Sequence, residues 1–460
     1  MPMIEKLIEQ LYASDPSGIR DMLEALSDFP CDDRVLEAAA TMLNAEDRGV
    51  REAASRLLIL CSNEKAASLT AIHMLSKNIA VRNLAGDVLV KMDGVATKVL
   101  LPYVESADKD VRKFAIDVLA QLPATPETIA KMKAHLSDPD QNVICASIDA
   151  LGSLHSEQSI LGIVQLFDKL EFAKPNIVNA AAKFPEKVST QFFLGALSDQ
   201  DPVVQLAAAE ALAIRKDKEV VEALMQKLDS VSDLAKPVVL HSIVSFLDPA
   251  NYEGKIPQSL KGHLIDMLKD TDPVYVRAAA RGLRFFIDEE VIKTLVNSLG
   301  RSESIDDAVF SVLKEHAEKS IRVILNSPKK GKDNASLVKM IIGLIQNLLQ
   351  TYNLSLSPQV MDETINFISA NFAELDVDTK VAALGTCEGQ NPHRSVKVVK
   401  AALEDPESTV KSYALDLAAR IGPLFFDKEL EKLKDDYDEE IRDAATKLLA
   451  RFKQGYQKQE

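Results

Sequence analysis

Tryptophan is absent from this 460-residue chain, and aromatic residues make up only 5% of it. Glycine (17) and proline (19) together supply about 8% of the residues, below the roughly 12% of average usage. That scarcity excludes a collagen-like or low-complexity chain and leaves few turn-formers between regular elements. Cysteine is also sparse. Cys31, Cys61, Cys145 and Cys387 lie far apart and form no C-x-x-C pair, so a zinc clip and a disulfide scaffold are both unsupported. Such residues are expected to be small apolar packing groups in a reducing compartment, with the cytoplasm as default. The N-terminal MPMIEKLIEQ carries Glu5 and Glu9 among its apolar residues, unlike a signal peptide. No run approaches the ~18 uncharged apolar residues of a membrane span, so none is expected.

What the chain does have is a repeat. DVRKFAIDVL (Asp110 to Leu119) is echoed by GVREAASRLL (Gly49 to Leu58), AVRNLAGDVL (Ala80 to Leu89) and NVICASIDAL (Asn142 to Leu151). VVQLAAAEAL, TVKSYALDLA and EIRDAATKLL follow further on. The anchors are Val50, Val81, Val111, Val143, Val204, Val410 and Ile441, with Val276 in a variant unit. The first four stand 31, 30 and 32 residues apart, and the last pair 31. The step from Val143 to Val204 is two periods, with a degenerate unit around Ile177. Filling the chain at this spacing gives roughly 13 or 14 units, although the period weakens between Asp288 and Asn391.

Within each unit, apolar or small residues recur at offsets 0, 4, 7 and 8 from the anchor, a helical stripe rather than strand alternation. Asp138-Pro139, Asp201-Pro202, Asp272-Pro273 and Asp405-Pro406 fall between two amphipathic stretches. There proline suits an early-helix position and the aspartate can cap free N–H groups. Each unit therefore reads as two helices, and the fold class as all-α.

Helical pairs carrying D-x-x-V-R-x-x-A in the second helix resemble HEAT repeats, and the 30–32-residue period resembles the subtype named after phycobilisome lyases. The resemblance covers most of the chain and implies an α-solenoid of HEAT-like hairpins. It further implies a ladder between neighbouring repeats, drawing on Asp47, Asp110, Asp138, Asp270 and Asp435 and on Arg51, Arg82, Arg112, Arg277 and Arg442. Ile144 and Gln205 replace the arginine, so the ladder is expected to break there. Ile4, Leu7, Ile8 and Leu11 give the first helix one apolar side, as an end cap needs, and ARFKQGYQKQE forms a polar finish. The expected organisation is a solenoid over 1–325, an exposed basic loop or bend over 326–334, and the same solenoid continuing over 335–460.

Signs of catalysis are few. The seven histidines are His73, His135, His155, His241, His263, His316 and His393, and no two are three to five residues apart, so no helical metal pair arises. The His-Glu dipeptides that supply iron ligands in deoxyhypusine hydroxylases, another helical-repeat family, are missing. No phosphate-binding or nucleophile-elbow motif occurs. No catalytic residue, metal or cofactor is therefore expected. A bilin lyase-like activity stays open as the alternative, since that family shares the repeat type, although the low aromatic content suits a tetrapyrrole pocket poorly. Nucleic acid is disfavoured by a net charge of −15. The one compact basic cluster, Lys329, Lys330 and Lys332, is too short for a duplex footprint.

One charge pattern stands out. Six residues after the anchor come Asp87, Asp117, Asp149, Glu210 and Asp416, with Arg56 and Lys447 at the same offset in the first clear unit and the last. At 100° per residue this offset lies at about 240°, well off the buried stripe. The resemblance places second helices on a concave surface, so these carboxylates would line a groove able to bind a basic protein surface or extended peptide. The alternative is that exposed positions favour polar residues, some of which pair with neighbouring lysine or arginine. The expected function is a non-catalytic interaction scaffold or adaptor for one or more protein partners.

Overall fold

In the computed structural model, residues 2–215, 218–247, 255–299, 301–326, 332–352, 356–388, 392–422 and 425–456 are described. They form 28 α-helices and short 3-10 turns, with no strand among the described residues. Taken in order, the helices pair into 14 hairpins, a first helix and then a second. The chain divides into two compact units, Met1–Ser242 and Ile243–Glu460, and the division falls inside the helix Lys236–Phe246. Within each unit, helices pack against their sequence neighbours and against their counterparts one hairpin along, as expected of an α-solenoid.

The stripe explains this stacking. In the helix Arg48–Cys61 the offsets 0, 4, 7 and 8 are Val50, Ala54, Leu57 and Leu58, all buried. The same offsets bring the degenerate unit around Ile177, and a unit where the period weakens, into the frame. Ala173, Ile177, Ala180 and Ala181 fit the frame, as do Ile305, Val309, Val312 and Leu313, and every one is buried. Small residues set the closest approaches. A Cβ on Gly152 would lie 3.0 Å from the Ala180 side chain and 3.1 Å from its backbone.

The turn between the two helices is built by a pair of polar residues two apart. The first bonds the backbone N–H of the second: Ser106 to Asp108, Asp138 to Asp140, Asp199 to Asp201, Asp270 to Asp272 and Asp436 to Asp438. The second then caps the following helix. Asp108, Asp140, Asp201, Asp272 and Asp438 accept from the N–H two residues on, at 2.8–3.0 Å. The Asp-Pro pairs therefore play two roles. Asp201 and Asp272 are helix caps with Pro202 and Pro273 at the helix start, whereas Asp138 and Asp405 hold the turn.

The cysteines depart from expectation. Cys31 and Cys61 form a disulfide. Cys31 precedes the helix Asp33–Met42, and Cys61 ends the second helix of that hairpin. An antiparallel hairpin returns its end beside its start, which is why thiols 30 residues apart meet. The expectation of four free packing thiols is corrected to two, Cys145 and Cys387, and a reducing compartment cannot be argued from the bonded pair. Of the basic loop placed at 326–334, residues 327–331, with Lys329 and Lys330, lie outside the described residues. Lys332 and Asn334 belong to the helix Lys332–Tyr352, where Asn334 donates to Asn371 at 3.0 Å. Among the described residues, no helix is long and apolar enough to cross a membrane.

Candidate functional site

The residue after each anchor governs how neighbouring hairpins join. Arg112 makes a two-pronged contact with Asp138 of the next hairpin, at 2.8 and 2.9 Å, and also donates to the Ser106 carbonyl at 2.9 Å. The Asp138 carboxylate is buried and the Arg112 side chain nearly so. Burial alone would raise the Asp138 carboxyl, but Arg112, the Asp140 N–H and His135 outweigh it and hold the group down to about 2. Lys380–Asp405 (2.7 Å) and Lys411–Asp436 (2.6 Å) repeat the rung with lysine. Lys174–Asp199 (2.8 Å) does so in the degenerate unit.

Two expectations about this ladder change. Gln205 does not break it: its amide donates to the Asp199 carbonyl and accepts from the Ser232 N–H, both at 2.7 Å. An amide offers a donor and an acceptor, so one neutral side chain spans the same two hairpins, donating to its own and accepting from the next where arginine donates to both. The acceptor in the last rung is Asp436, not Asp435. Asp47 acts mainly as a helix cap for Val50. Arg51 and Arg442 turn back to carbonyls of their own hairpins. Ile144 is simply buried.

The carboxylates at offset six do occupy the accessible side of second helices. Asp87 and Glu210 are exposed, on Ile79–Lys91 and Pro202–Ala213. Asp117, on Lys109–Leu119, is half-buried and accepts from Lys113 at 2.7 Å. Asp149, on Gln141–Ser153, accepts from Asn176 of the next second helix at 2.8 Å. Its surroundings push its carboxyl above the usual range, chiefly by desolvation and also through the charge on Asp117, against the Asn176 bond and the cations Lys183 and Lys113. Asp149 is thus open to solvent yet crowded by protein. Asn179 takes the equivalent place between Asp149 and Glu210, so the row has a neutral gap. Arg56 reaches Glu24 at 3.4 Å, on the previous second helix.

Asp416 is exposed on the helix Ser408–Ile421 of the second unit. With Tyr413, Asp438 and Glu440 it lines a cavity of about 330 Å³. Lys447, at the same offset, is 3.7 Å from Asp443. Sequence reasoning also missed a larger groove of about 710 Å³ between the helices Glu303–Glu315 and Lys332–Tyr352. Phe310, Leu337 and Met340 line it together with Glu303, Asp306 and Asp307. Among the described residues, no three His, Cys, Asp or Glu side chains converge as a metal site.

Two stretches of these hairpins match family models of HEAT-type repeats. The family model for HEAT repeats matches residues 97–169. The model for the PBS lyase HEAT-like repeat matches residues 204–230. No curated protein matches the chain. Among solved structures the chain is similar to Kap121p, at 12% identity and a TM-score of 0.46, covering 98% of this chain and 56% of that one. Kap121p bound to RanGTP is matched at 11% identity, a TM-score of 0.46 and the same coverage. A homology model of the full-length AP-3 complex is matched at 13% identity and a TM-score of 0.42, covering 94% of this chain and 93% of that one. The chain thus spans little more than half the length of the Kap121p chain.

Proposed function

We propose that this chain is a non-catalytic scaffold or adaptor that holds a basic protein surface or extended peptide on the second-helix face of its N-terminal unit. The observation that carries this reading is the set of carboxylates at one offset, Asp87, Asp117 and Asp149, on three successive second helices. Asp149 is accessible despite the protein packed around it. A row of like charge raises the encounter rate with an oppositely charged partner and selects against acidic ones. Glu210 extends the row beyond its neutral gap, and Asp416 marks a separate acidic cavity in the second unit.

The experiment is a tagged pull-down from native cells at low and moderate salt, with the Asp87→Lys, Asp117→Lys, Asp149→Lys variant alongside. A protein recovered by the wild type and lost on charge reversal or added salt is the expected result. Recovery unchanged by both treatments refutes the acidic face. A coloured ligand in place of a protein, with visible absorption on adding a tetrapyrrole, would transfer the assignment to a bilin lyase-like activity.

A further inference from the structure

A second row stands at the starts of the second helices in the later hairpins of the N-terminal unit, and it is apolar. The residue before the anchor is Phe172, Val203 and Leu234 in three consecutive hairpins, spaced 31 and 31 residues apart. All three are exposed, at 37%, 50% and 51%. Three residues further on stand Pro175, Leu206 and Pro237, each half-buried. Val203 and Leu206 share one side of the helix Pro202–Ala213, while Phe172 and Leu234 stand in the turns just before the helices Lys174–Ala182 and Lys236–Phe246 that carry Pro175 and Pro237, so each hairpin presents an apolar pair at the start of its second helix. In the five preceding hairpins the second position is Asp21, Glu52, Asn83, Lys113 or Cys145, and no such band forms. Scattered exposed apolar residues are ordinary on a soluble surface. Three consecutive pairs in register make a contiguous patch of the sort that marks an interaction site.

The ladder fixes the register of this band. Lys174 binds Asp199 across the first step, and Gln205 binds the Ser232 N–H across the second. Packed helices stand 8–10 Å apart, so the apolar pairs recur at about that spacing. A heptad of α-helix advances about 10 Å and returns to the same face. An extended strand matches less well, because residues about 10 Å apart along it point to opposite sides. The charges beside the band are acidic. Glu171, Asp199, Asp201, Asp233 and Glu210 outnumber the cations there, Lys174, which pairs with Glu171 and Asp199, and Lys236, which pairs with Asp233.

We infer that this band docks an amphipathic helix of a protein partner, with apolar residues in heptad register and lysine or arginine on its flanks. The inference rests on the scaffold reading and names the partner's chemistry. The probe is a fluorescently labelled synthetic helix of about three heptads, leucine at the apolar positions and lysine on the flanks, with a glutamate-flanked counterpart. Anisotropy at ~0.15 M salt reads affinity for the full chain, for Val203→Asp/Leu234→Asp, and for the gentler Val203→Ser/Leu234→Ser. Both substituted side chains are exposed, and an unchanged unfolding midpoint verifies folding.

The expected result is binding of the lysine-flanked helix, loss of about tenfold or more in affinity with the aspartate pair, a smaller loss with serine, and weaker binding of the glutamate-flanked helix. Equal affinity of wild type and aspartate variant overturns the inference, as does indifference to the flanking charge. Self-association of the wild type that the aspartate pair abolishes overturns it too, since a second copy would then cover the band. The pull-down separates this failure from that of the scaffold reading. Partners stripped only by the Asp87, Asp117 and Asp149 reversal leave that reading standing without the docking helix. No protein recovered by the wild type removes both.

Discussion

Gln205 and Ser232 join two successive hairpins through a 2.7 Å hydrogen bond from the Ser232 N–H to the Gln205 side-chain oxygen. The same amide donates backwards to the Asp199 carbonyl at 2.7 Å, so one neutral residue spans two hairpins as arginine or lysine does elsewhere. Gln205 itself is 7% exposed. Replacing it with leucine removes both bonds and strands a donor and an acceptor in a partly buried turn. The expected cost is about 2 kcal/mol, read from urea unfolding. Gln205→Glu keeps the acceptor for Ser232 but loses the donor to Asp199, and should fall between wild type and leucine.

The Arg112–Asp138 rung carries full charges and predicts a pH dependence. Its aspartate titrates at about 2 in the folded chain, against an ordinary value of ~3.9. A lowered folded value means the stabilisation is present above the unfolded pKa and is lost as pH falls through the folded one. The rung should therefore contribute fully above pH ~5 and fade between ~4 and ~2, by about 2 kcal/mol. Urea midpoints from pH 5 downwards measure it, and Asp138→Asn should flatten this part of the profile. Arg112→Met leaves Asp138 buried without its partner and should cost about 3 kcal/mol at neutral pH. The paired Arg112→Met/Asp138→Asn change should cost less than Arg112→Met alone.

The solenoid was legible because seven anchors kept both the spacing and the stripe. The unit anchored at Ala173 showed only as degenerate and those anchored at Ala235 and Thr379 were concealed, because these residues are too common or too polar to signal a core. The step also lengthens, from Ala235 to Val276 (41 residues) and from Leu337 to Thr379 (42). Insertions between hairpins cost little in a stack whose contacts are nearest-neighbour, so they accumulate and blur the period. Gln205 was misread because a rung was defined by charge rather than by hydrogen-bonding capacity. Asp436 was missed by one residue, within the usual uncertainty of a helix boundary. The exposure of Asp87, Asp149, Glu210 and Asp416 followed from helical angle alone. The bond between Asp149 and Asn176 did not, because it depends on the neighbouring helix. The apolar pairs from Phe172 to Pro237 were present in the sequence but emerge only once Ala173 and Ala235 are recognised as anchors.

Thiol chemistry checks the Cys31–Cys61 bond. Non-reducing titration in denaturant should count two free thiols and, after reduction, four. Native labelling should separate the two free groups. Cys145 is half-buried, whereas burial pushes the Cys387 thiol up to about 11 and should protect it until the chain unfolds. Closing a loop of 30 residues restricts the unfolded chain by about 3–4 kcal/mol, so reduction or Cys31→Ser/Cys61→Ser should lower the unfolding midpoint of the N-terminal unit.

Glycine substitutions test how closely the second helices approach. Gly262 lies inside the helix Ser259–Met267, and a Cβ there would meet nothing within 4 Å. Gly262→Ala should therefore stabilise by up to about 1 kcal/mol through helix propensity alone. Gly152 gains the same propensity, but its new methyl would press on Ala180, whose Cα stands 3.1 Å away. Backbone cannot yield as a long side chain does, and overpacking of this kind costs about 1–3 kcal/mol. Gly152→Ala should therefore be net destabilising by about 1 kcal/mol, the opposite sign to Gly262→Ala. Gly152→Val should cost more and push apart the helices that carry Asp149 and Asn176. Breaking that bond frees the Asp149 carboxylate, so a change in salt-dependent partner binding in Gly152→Val at unchanged fold would tie the acidic face to the packing beneath it.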